Sequence, residues 1–138
     1  KSTEIGISEI TPLITKFSEK KKVNISRLNK IVISSMKQSN QFYLPKVNPI
    51  TSFDEFLKLN KDYKLIAHLK NNNSFNKKSI GSKDKIVVMI GPEGGFSKEE
   101  ILKANKEKIK EISFGKNRFR SETAGVFAVS IINNYKNL

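Results

Sequence analysis

The sequence predicts one α/β domain over residues 1–138, with a mostly parallel sheet and helices on both of its faces. Two observations predict this class. The apolar stretches Tyr63–Leu69 and Ile86–Ile90 are continuous rather than alternating, which is typical of strands buried on both faces. Segments with helical periodicity separate the apolar stretches, as in chains that alternate strands and helices. No internal repeat or domain boundary is visible, so a single core is expected.

The first part of the chain predicts a strand, a loop and a helix. Ile5–Ile14 is apolar enough for a strand, although Pro12 weakens its far end because proline cannot donate to a ladder. Thr15–Asn24 is polar and lysine-rich, which indicates a loop. Ser26–Ser39 is predicted as a helix, because four residues fall at helical spacing on one face: Leu28, Ile31, Val32 and Ser35.

An extended segment and a short helix are predicted before the first buried strand. Phe42–Ile50 carries two prolines and is expected to be extended. Thr51–Asn60 is predicted as a short helix, in which Ser52 and Glu55 have the spacing of a capping box.

The carboxyl half predicts a loop, two helices and a strand. Asn71–Lys85 is rich in Asn, Ser and Lys and indicates a loop, whereas Glu111–Phe114 indicates a strand. A helix is expected to begin after Ser97, with Glu100 three residues on. Glu122–Tyr135 is predicted as the last helix, with one apolar stripe formed by Ala124, Phe127, Ala128, Ile131 and Tyr135.

The composition restricts the kind of function. Lys and Arg number 26 against 13 Asp and Glu, giving a formal charge of +13 that favours binding to nucleic acid. A lysine-rich surface without such a role is the alternative.

The absence of cysteine excludes disulfides and thiolate metal sites, and the one histidine disfavours a histidine-based metal site or triad. No membrane span or signal peptide is visible. A cytoplasmic protein is expected, since the absence of cysteine is compatible with a reducing compartment. Because Lys1 is not Met, we expect a fragment.

The stretch "IVVMIGPEGGFSKEEI" places a glycine-rich turn at the end of a buried strand. Ligands of parallel sheets bind at the carboxyl ends of the strands, here at Leu69, Ile90 and Phe114. The turn lacks the Gly-Lys-Ser/Thr of a phosphate loop and the spacing of a dinucleotide fingerprint. Its one carboxylate, Glu93, would also repel phosphate. The turn therefore suits a ligand held by backbone groups, with an ordinary tight turn as the alternative.

A second strand–loop–helix stretch, "SFGKNRFRSETAGVFA", carries Arg118 and Arg120 at its centre. Glu122 and Thr123 open the following helix, where a carboxylate and a hydroxyl satisfy free amides. One anionic and one cationic loop at neighbouring strand ends would hold a cationic donor beside a polyanionic acceptor.

Together, "IGPEGGFSKEEI" and "FGKNRFRSETA" resemble the SPOUT class of RNA methyltransferases, and within it the RsmE type. "KSTEIGISEITPLIT" and "KQSNQFYLPKV" are similar to further segments of that family, so the resemblance covers nearly the whole chain. The sequence departs from the family pattern at several positions. Phe114 replaces the usual Leu, Asn117 stands where the first arginine is common, and Gln41 replaces an Arg.

The resemblance implies methylation of N3 of one uridine in small-subunit (16S) ribosomal RNA, with S-adenosylmethionine (SAM) as methyl donor and no metal. It also implies a deep trefoil knot in the carboxyl half, a homodimer, and an amino-terminal PUA-like RNA-binding barrel that this chain lacks. The alternative is a knotted RNA-binding module without catalysis. The implied cofactor-binding residues lie at three strand ends: Leu69, Ile90, Gly91, Glu93, Gly94, Gly95, Phe114, Gly115, Arg118, Phe119, Arg120, Thr123 and Ala124.

Catalysis by such an enzyme requires alignment of the methyl group with N3 and stabilisation of the negative charge that develops on the uracil. Arg120 or Arg118 is expected to supply that charge, with binding of RNA phosphate as the alternative for each. Glu122 is expected to cap its helix rather than act as a base. His68 is expected to be a core or strand-end residue, so the sequence identifies no clear general base.

Overall fold

The computed structural model describes residues 1–59, 62–68, 75 and 85–136. Its strands are β1 (Glu9–Ile10), β2 (Leu13–Ile14), β3 (Lys46–Val47), β4 (Thr51–Ser52), β5 (Tyr63–Ala67), β6 (Ile86–Met89) and β7 (Lys110–Ile112). Its helices are α1 (Ile25–Gln38), α2 (Phe53–Lys58), α3 (Lys98–Lys106) and α4 (Ser121–Lys136). Most of the loop expected over Asn71–Lys85 lies outside the described residues.

The main sheet has three parallel strands in the order β6-β5-β7. β5 lies in the centre, with Leu65 opposite Val88 of β6 and opposite Lys110 of β7. The short strands form two further parallel pairs, β1 with β3 and β2 with β4. The predicted parallel sheet is therefore confirmed, and its carboxyl ends meet at one edge.

Consecutive residues of β5 point to opposite faces of the sheet, as the pleat requires. Ile66 belongs to a core cluster that also contains Phe53 of α2 and Ala104 of α3. Leu65 belongs to a second cluster, against which Ile131 of α4 packs. Leu65 and Ile66 lie on opposite faces of the sheet, and both are fully buried. The prediction that both faces are covered is therefore confirmed.

The helix starts follow from the local sequence. Asn24 caps α1 by accepting from the backbone N–H of Arg27 at 2.9 Å. Ser52 and Ser97 form the two predicted capping boxes, with Glu55 and Glu100 as their partners. Periodicity for α1, and the spacing of Ser and Glu for α2 and α3, therefore placed the helix starts correctly to within a residue or two.

Two apolar stripes are less buried than their spacing predicts. In α1, Val32 is buried, but Ile31 is 51% exposed, so the predicted core face of this helix is narrower than expected. In α4, Ala124 and Ala128 are buried, whereas Phe127 is 36% exposed and stacks edge-on against Phe114 and Phe119. Periodicity marks an apolar side of a helix but not whether another element covers it.

The strand predicted over Ile5–Ile14 is wrong in its first half. Residues 2–6 form turns, and Gly6 has a φ of +96°, which a strand cannot contain. β1 and β2 follow as two short strands on either side of Pro12, which interrupts the ladder because it lacks an N–H. The loop predicted over Thr15–Asn24 is confirmed, since it contains no helix or strand.

A buried lysine closes the end of α2. Lys64 is only 7% exposed, and its Nζ donates to the carbonyl oxygens of Phe56 at 2.8 Å, Leu57 at 3.0 Å and Leu59. These carbonyls lack helical partners because they belong to the last turn of the helix. Desolvation lowers the pKa of Lys64, because burial penalises its charged form.

Lys64→Met is expected to lower the free energy of unfolding by about 1–3 kcal/mol, because it leaves buried carbonyls without a donor. Urea unfolding would measure this loss, with the exposed Lys58→Met as the matched control. The pKa of Lys64 is lower in the folded protein than in the unfolded chain. At any pH between these two pKa values, the unfolded chain therefore binds more protons than the folded protein. The contribution of Lys64 to stability therefore rises with pH across that alkaline window, and Lys64→Met should remove the rise. Equal stability of Lys64→Met and Lys58→Met would contradict this role.

Candidate functional site

A cavity of about 1020 Å³ lies at the carboxyl edge of the main sheet. The loop after β6 and the loop after β7 both border it, and Ala67 and His68 at the end of β5 form part of its wall. The sequence analysis placed the two loops at neighbouring strand ends. That expectation is corrected, because β5 separates β6 from β7, and the loops instead flank the end of the central strand.

Arg118 of the second loop and Ser121 at the start of α4 bind the backbone of the first loop. Arg118 Nη2 donates to the carbonyl oxygen of Glu93. Ser121 Oγ donates to the carbonyl oxygen of Gly91 at 2.7 Å. The two loops therefore form one wall of the cavity although they follow different strands. The guanidinium of Arg118 hydrogen-bonds to the first loop, whereas the Arg120 side chain makes no hydrogen bond among the described residues.

The glycine turn presents its backbone to the cavity. Gly95 lines the cavity with a φ of +71°, a conformation that L side chains rarely adopt, and its N–H donates to the carbonyl oxygen of Pro92 at 2.7 Å. A Cβ placed at Gly95 would meet no atom within 4 Å. The turn thus leaves open space next to the main chain, as the sequence pattern predicts for a ligand held by backbone groups.

The loop over Thr15–Asn24 packs against the glycine turn and against the helix that follows it. The backbone N–H of Lys16 donates to Oε1 of the buried Glu100 at 2.8 Å. Phe17 lies so close to Gly94 that a Cβ placed there would be 2.9 Å from the Phe17 Cβ. The sequence analysis missed this contact, because Lys16 and Glu100 are 84 residues apart and local patterns carry no signal for it.

Most residues singled out from the sequence line the cavity. Those that line it are Ile90, Gly91, Glu93, Gly94, Gly95, Phe114, Arg118, Phe119, Arg120 and Ala124. Gly115 and Thr123 are not among the lining residues, and both are exposed. Leu69 lies outside the described residues.

Several further residues line the cavity. Ile101 and Leu102 of α3 add apolar surface, and Lys98 adds a cation at the start of that helix. His68 also lines the cavity, and its Nδ1 lies 3.0 Å from Glu111 Oε2. Its place directly after β5 agrees with the strand-end alternative expected from the sequence rather than with the core one.

The arrangement combines a largely apolar wall with a cationic rim. Among the described lining residues, Lys98, Arg118 and Arg120 carry positive charge and Glu93 carries negative charge. The described residues contain no cluster of His, Cys, Asp or Glu side chains arranged to hold a metal ion. Within the same residues, none of the helices combines the length and apolar character that a membrane crossing requires. Such a cavity suits a small organic molecule beside a polyanion.

Comparisons with known proteins agree with this geometry. Residues 1–133 match the family described as the RNA methyltransferase domain. The chain is 38% identical over 133 residues to the ribosomal RNA small subunit methyltransferase E of Rickettsia conorii, covering 94% of this chain and 54% of the relative. It is 32% identical over 137 residues to the enzyme of the same name from Mesomycoplasma hyopneumoniae, covering 94% and 60%. The chain thus spans little more than half the length of these curated relatives.

A solved structure has the same fold. The crystal structure of a ribosomal RNA small subunit methyltransferase E from Neisseria gonorrhoeae, bound to S-adenosyl methionine, superposes with a TM-score of 0.82 at 29% identity. The match covers 96% of this chain and 57% of that one.

Proposed function

The chain belongs to the RNA methyltransferase domain family, and from this we propose that it uses SAM to methylate N3 of a uridine in small-subunit ribosomal RNA. One observation carries the proposal most directly. The cavity at the carboxyl edge of the sheet is walled by both glycine loops, which Arg118 and Ser121 join through backbone carbonyls.

The residues of this chain fit SAM as a ligand. SAM carries no phosphate, and the flat faces of its adenine ring suit the apolar lining from Ile90, Ile101 and Phe114. The open space beside Gly95 allows contact with the main chain, and Glu93 offers a carboxylate for a cationic group. Bound SAM supplies a methyl group already activated by its sulfonium, so the protein must chiefly align it.

The cationic rim supports an RNA substrate. Arg120 and Lys98 line the cavity beside Arg118, and the formal charge of the chain is +13. Positive charge of this size attracts the phosphate backbone and makes binding sensitive to salt. The assignment to uridine N3 is supported by the resemblance of "FGKNRFRSETA" to the family motif.

The two arginines have different roles in the proposed reaction. Arg118 holds the glycine turn through the Glu93 carbonyl and so positions the cofactor wall. Arg120 is exposed at the cavity rim and makes no side-chain hydrogen bond within the described part of the chain. We assign to Arg120 the stabilisation of the negative charge that develops on the uracil oxygens.

The proposal extends to the knot and to assembly. The knot is supported by the resemblance of the two loop motifs to the family, and the Ser121 Oγ that donates to the Gly91 carbonyl shows that the two segments lie together. A homodimer is supported by Val126 and Val129, which are half-buried and lie off the main stripe of α4. Light scattering at micromolar concentration tests the dimer, and a stable monomer would contradict it. We place the protein in the cytoplasm, where small-subunit RNA is found.

The test of the proposed function is SAM binding followed by methyl transfer. Isothermal titration should show that these 138 residues bind SAM, because both described loops of the cavity are present. Transfer from labelled SAM to small-subunit RNA should then be measured with the full-length protein, and the modified base identified by mass spectrometry. Binding of SAM without transfer would favour an RNA-binding module. Failure to bind SAM would contradict the proposal altogether.

A further inference from the structure

A histidine at the end of the central strand points to a catalytic role that the sequence analysis did not assign. His68 directly follows β5, and its backbone N–H donates to the carbonyl oxygen of Ile112 at 2.8 Å. His68 lines the cavity, and its Nδ1 lies 3.0 Å from Glu111 Oε2. Both side chains are mostly buried, at 24% and 17% exposure. β7 therefore holds His68 twice, through its backbone N–H and through the ring nitrogen Nδ1.

The carboxylate that holds the ring is itself held. Glu111 Oε1 accepts from Nδ2 of Asn105, on α3, at 2.9 Å. A carboxylate only accepts hydrogen bonds, so the His68 nitrogen facing it carries the proton. In the neutral imidazole the proton on Nδ1 leaves the Nε2 lone pair as an acceptor. Nε2 has no hydrogen-bond partner among the described residues.

We propose that His68 is the general base of methyl transfer, with Glu111 and Asn105 as positioning residues. The inference rests on the proposed function. Nε2 takes the proton from uracil N3 while the N3 lone pair bonds to the methyl carbon. The carbon–sulfur bond breaks, and its electron pair stays on sulfur. The imidazolium then passes its proton to water, so atoms and charge balance without a further reactant.

The other groups around the cavity are poorer bases. Glu93 is exposed on the glycine turn, and a carboxylate is intrinsically a weaker base than an imidazole. Lys98, Arg118 and Arg120 are cations and favour the negative charge on the uracil rather than accept a proton. Glu111 on β7 favours the imidazolium after transfer. The cations at the cavity rim therefore stabilise the uracil anion, whereas Glu111 stabilises the protonated ring of His68. Both charges that form during proton transfer thus have a partner of opposite sign.

The test compares single-turnover methyl transfer at saturating SAM with SAM binding, in the full-length protein. His68→Gln is expected to slow transfer about 100-fold or more and to leave the SAM dissociation constant within a few-fold. Its defect should shrink at alkaline pH, where uridine loses its N3 proton without help. Glu111→Gln should slow transfer about tenfold or more, because an amide can donate as well as accept and so no longer fixes the proton on Nδ1. The exposed carboxylate Glu107 provides the matched control, since Glu107→Gln should transfer at the wild-type rate.

A second readout does not depend on activity. Because the chain has one histidine, its ring nitrogens give unambiguous ¹⁵N resonances. We expect the neutral ring to carry its proton on Nδ1, and Glu111→Ala to abolish this preference.

Three results would overturn the role of His68. These are a wild-type rate in His68→Gln, a defect that higher pH does not reduce, and loss of SAM binding with unchanged transfer at saturating SAM. A wild-type protein that binds SAM but transfers no methyl group would overturn the proposed function and this role together. Failure of the role alone would leave wild-type transfer intact.

Discussion

Arg120→Ala is expected to slow methyl transfer about 100-fold or more, the effect seen when one charge-stabilising donor is removed. The dissociation constant of SAM should change by no more than a few-fold. The physical reason is the position of the side chain. Arg120 lies at the exposed rim of the cavity, directly before α4, where a guanidinium can face a uracil oxygen. Its contribution therefore arises as N3 loses its proton, not when the cofactor binds.

The experiment is a single-turnover assay on small-subunit RNA with saturating SAM. Arg120→Lys should restore only part of the rate, because a point charge does not replace the planar guanidinium. Arg118→Ala is the matched control with the opposite result. It removes the hydrogen bond to the Glu93 carbonyl, so it should weaken SAM binding more than transfer at saturation. A wild-type rate in Arg120→Ala would move the charge-stabilising role to Arg118 or to a residue of a second subunit.

Gly94→Val is expected to abolish SAM binding. A Cβ at residue 94 would lie 2.9 Å from the Phe17 Cβ, closer than real Cβ atoms approach, and 3.1 Å from its Cγ, which is a tight contact. Phe17 cannot easily retreat, because the preceding Lys16 is bound to the buried Glu100. The glycine turn must therefore move, and its backbone lines the cavity. The sequence analysis predicts a backbone-held ligand at this turn, and the structure adds the reason why residue 94 itself must be small.

Titration calorimetry with SAM measures the effect, and two variants separate its causes. Phe17→Gly combined with Gly94→Val should recover part of the binding, because glycine at residue 17 removes the Cβ, Cγ and Cδ2 atoms that a Cβ at residue 94 would meet. Gly125→Ala should bind SAM like the wild type, because a Cβ there meets no atom within 4 Å. Equal binding by wild type and Gly94→Val would show that the turn does not contact the cofactor. If the double variant recovered nothing, the contact with Phe17 would not be the cause.

Local chemistry in the sequence determined the elements of this protein. The continuous apolar runs of β5 and β6 predict buried strands, and both helices with a Ser-x-x-Glu start begin where that pattern places them. Gly95 lines the cavity and has a positive φ. It lies in the glycine-rich turn that the sequence predicts to hold a ligand through backbone groups. All these features depend on residues within a few positions of one another. The strand predicted over Ile5–Ile14 failed because the turn at Gly6 overrides its apolar composition.

Only the tertiary structure decided which of these elements meet. The order β6-β5-β7 puts two loops on either side of the central strand, and no periodicity specifies that order. The pair His68–Glu111 is separated by 43 residues, and the contact from Arg118 to Glu93 by 25. Such contacts form because burying both faces of the sheet brings distant segments to one edge. The sequence pattern predicts how side chains are spaced along one helix or strand. Which residues contact each other across the cavity depends instead on how the helices and strands pack.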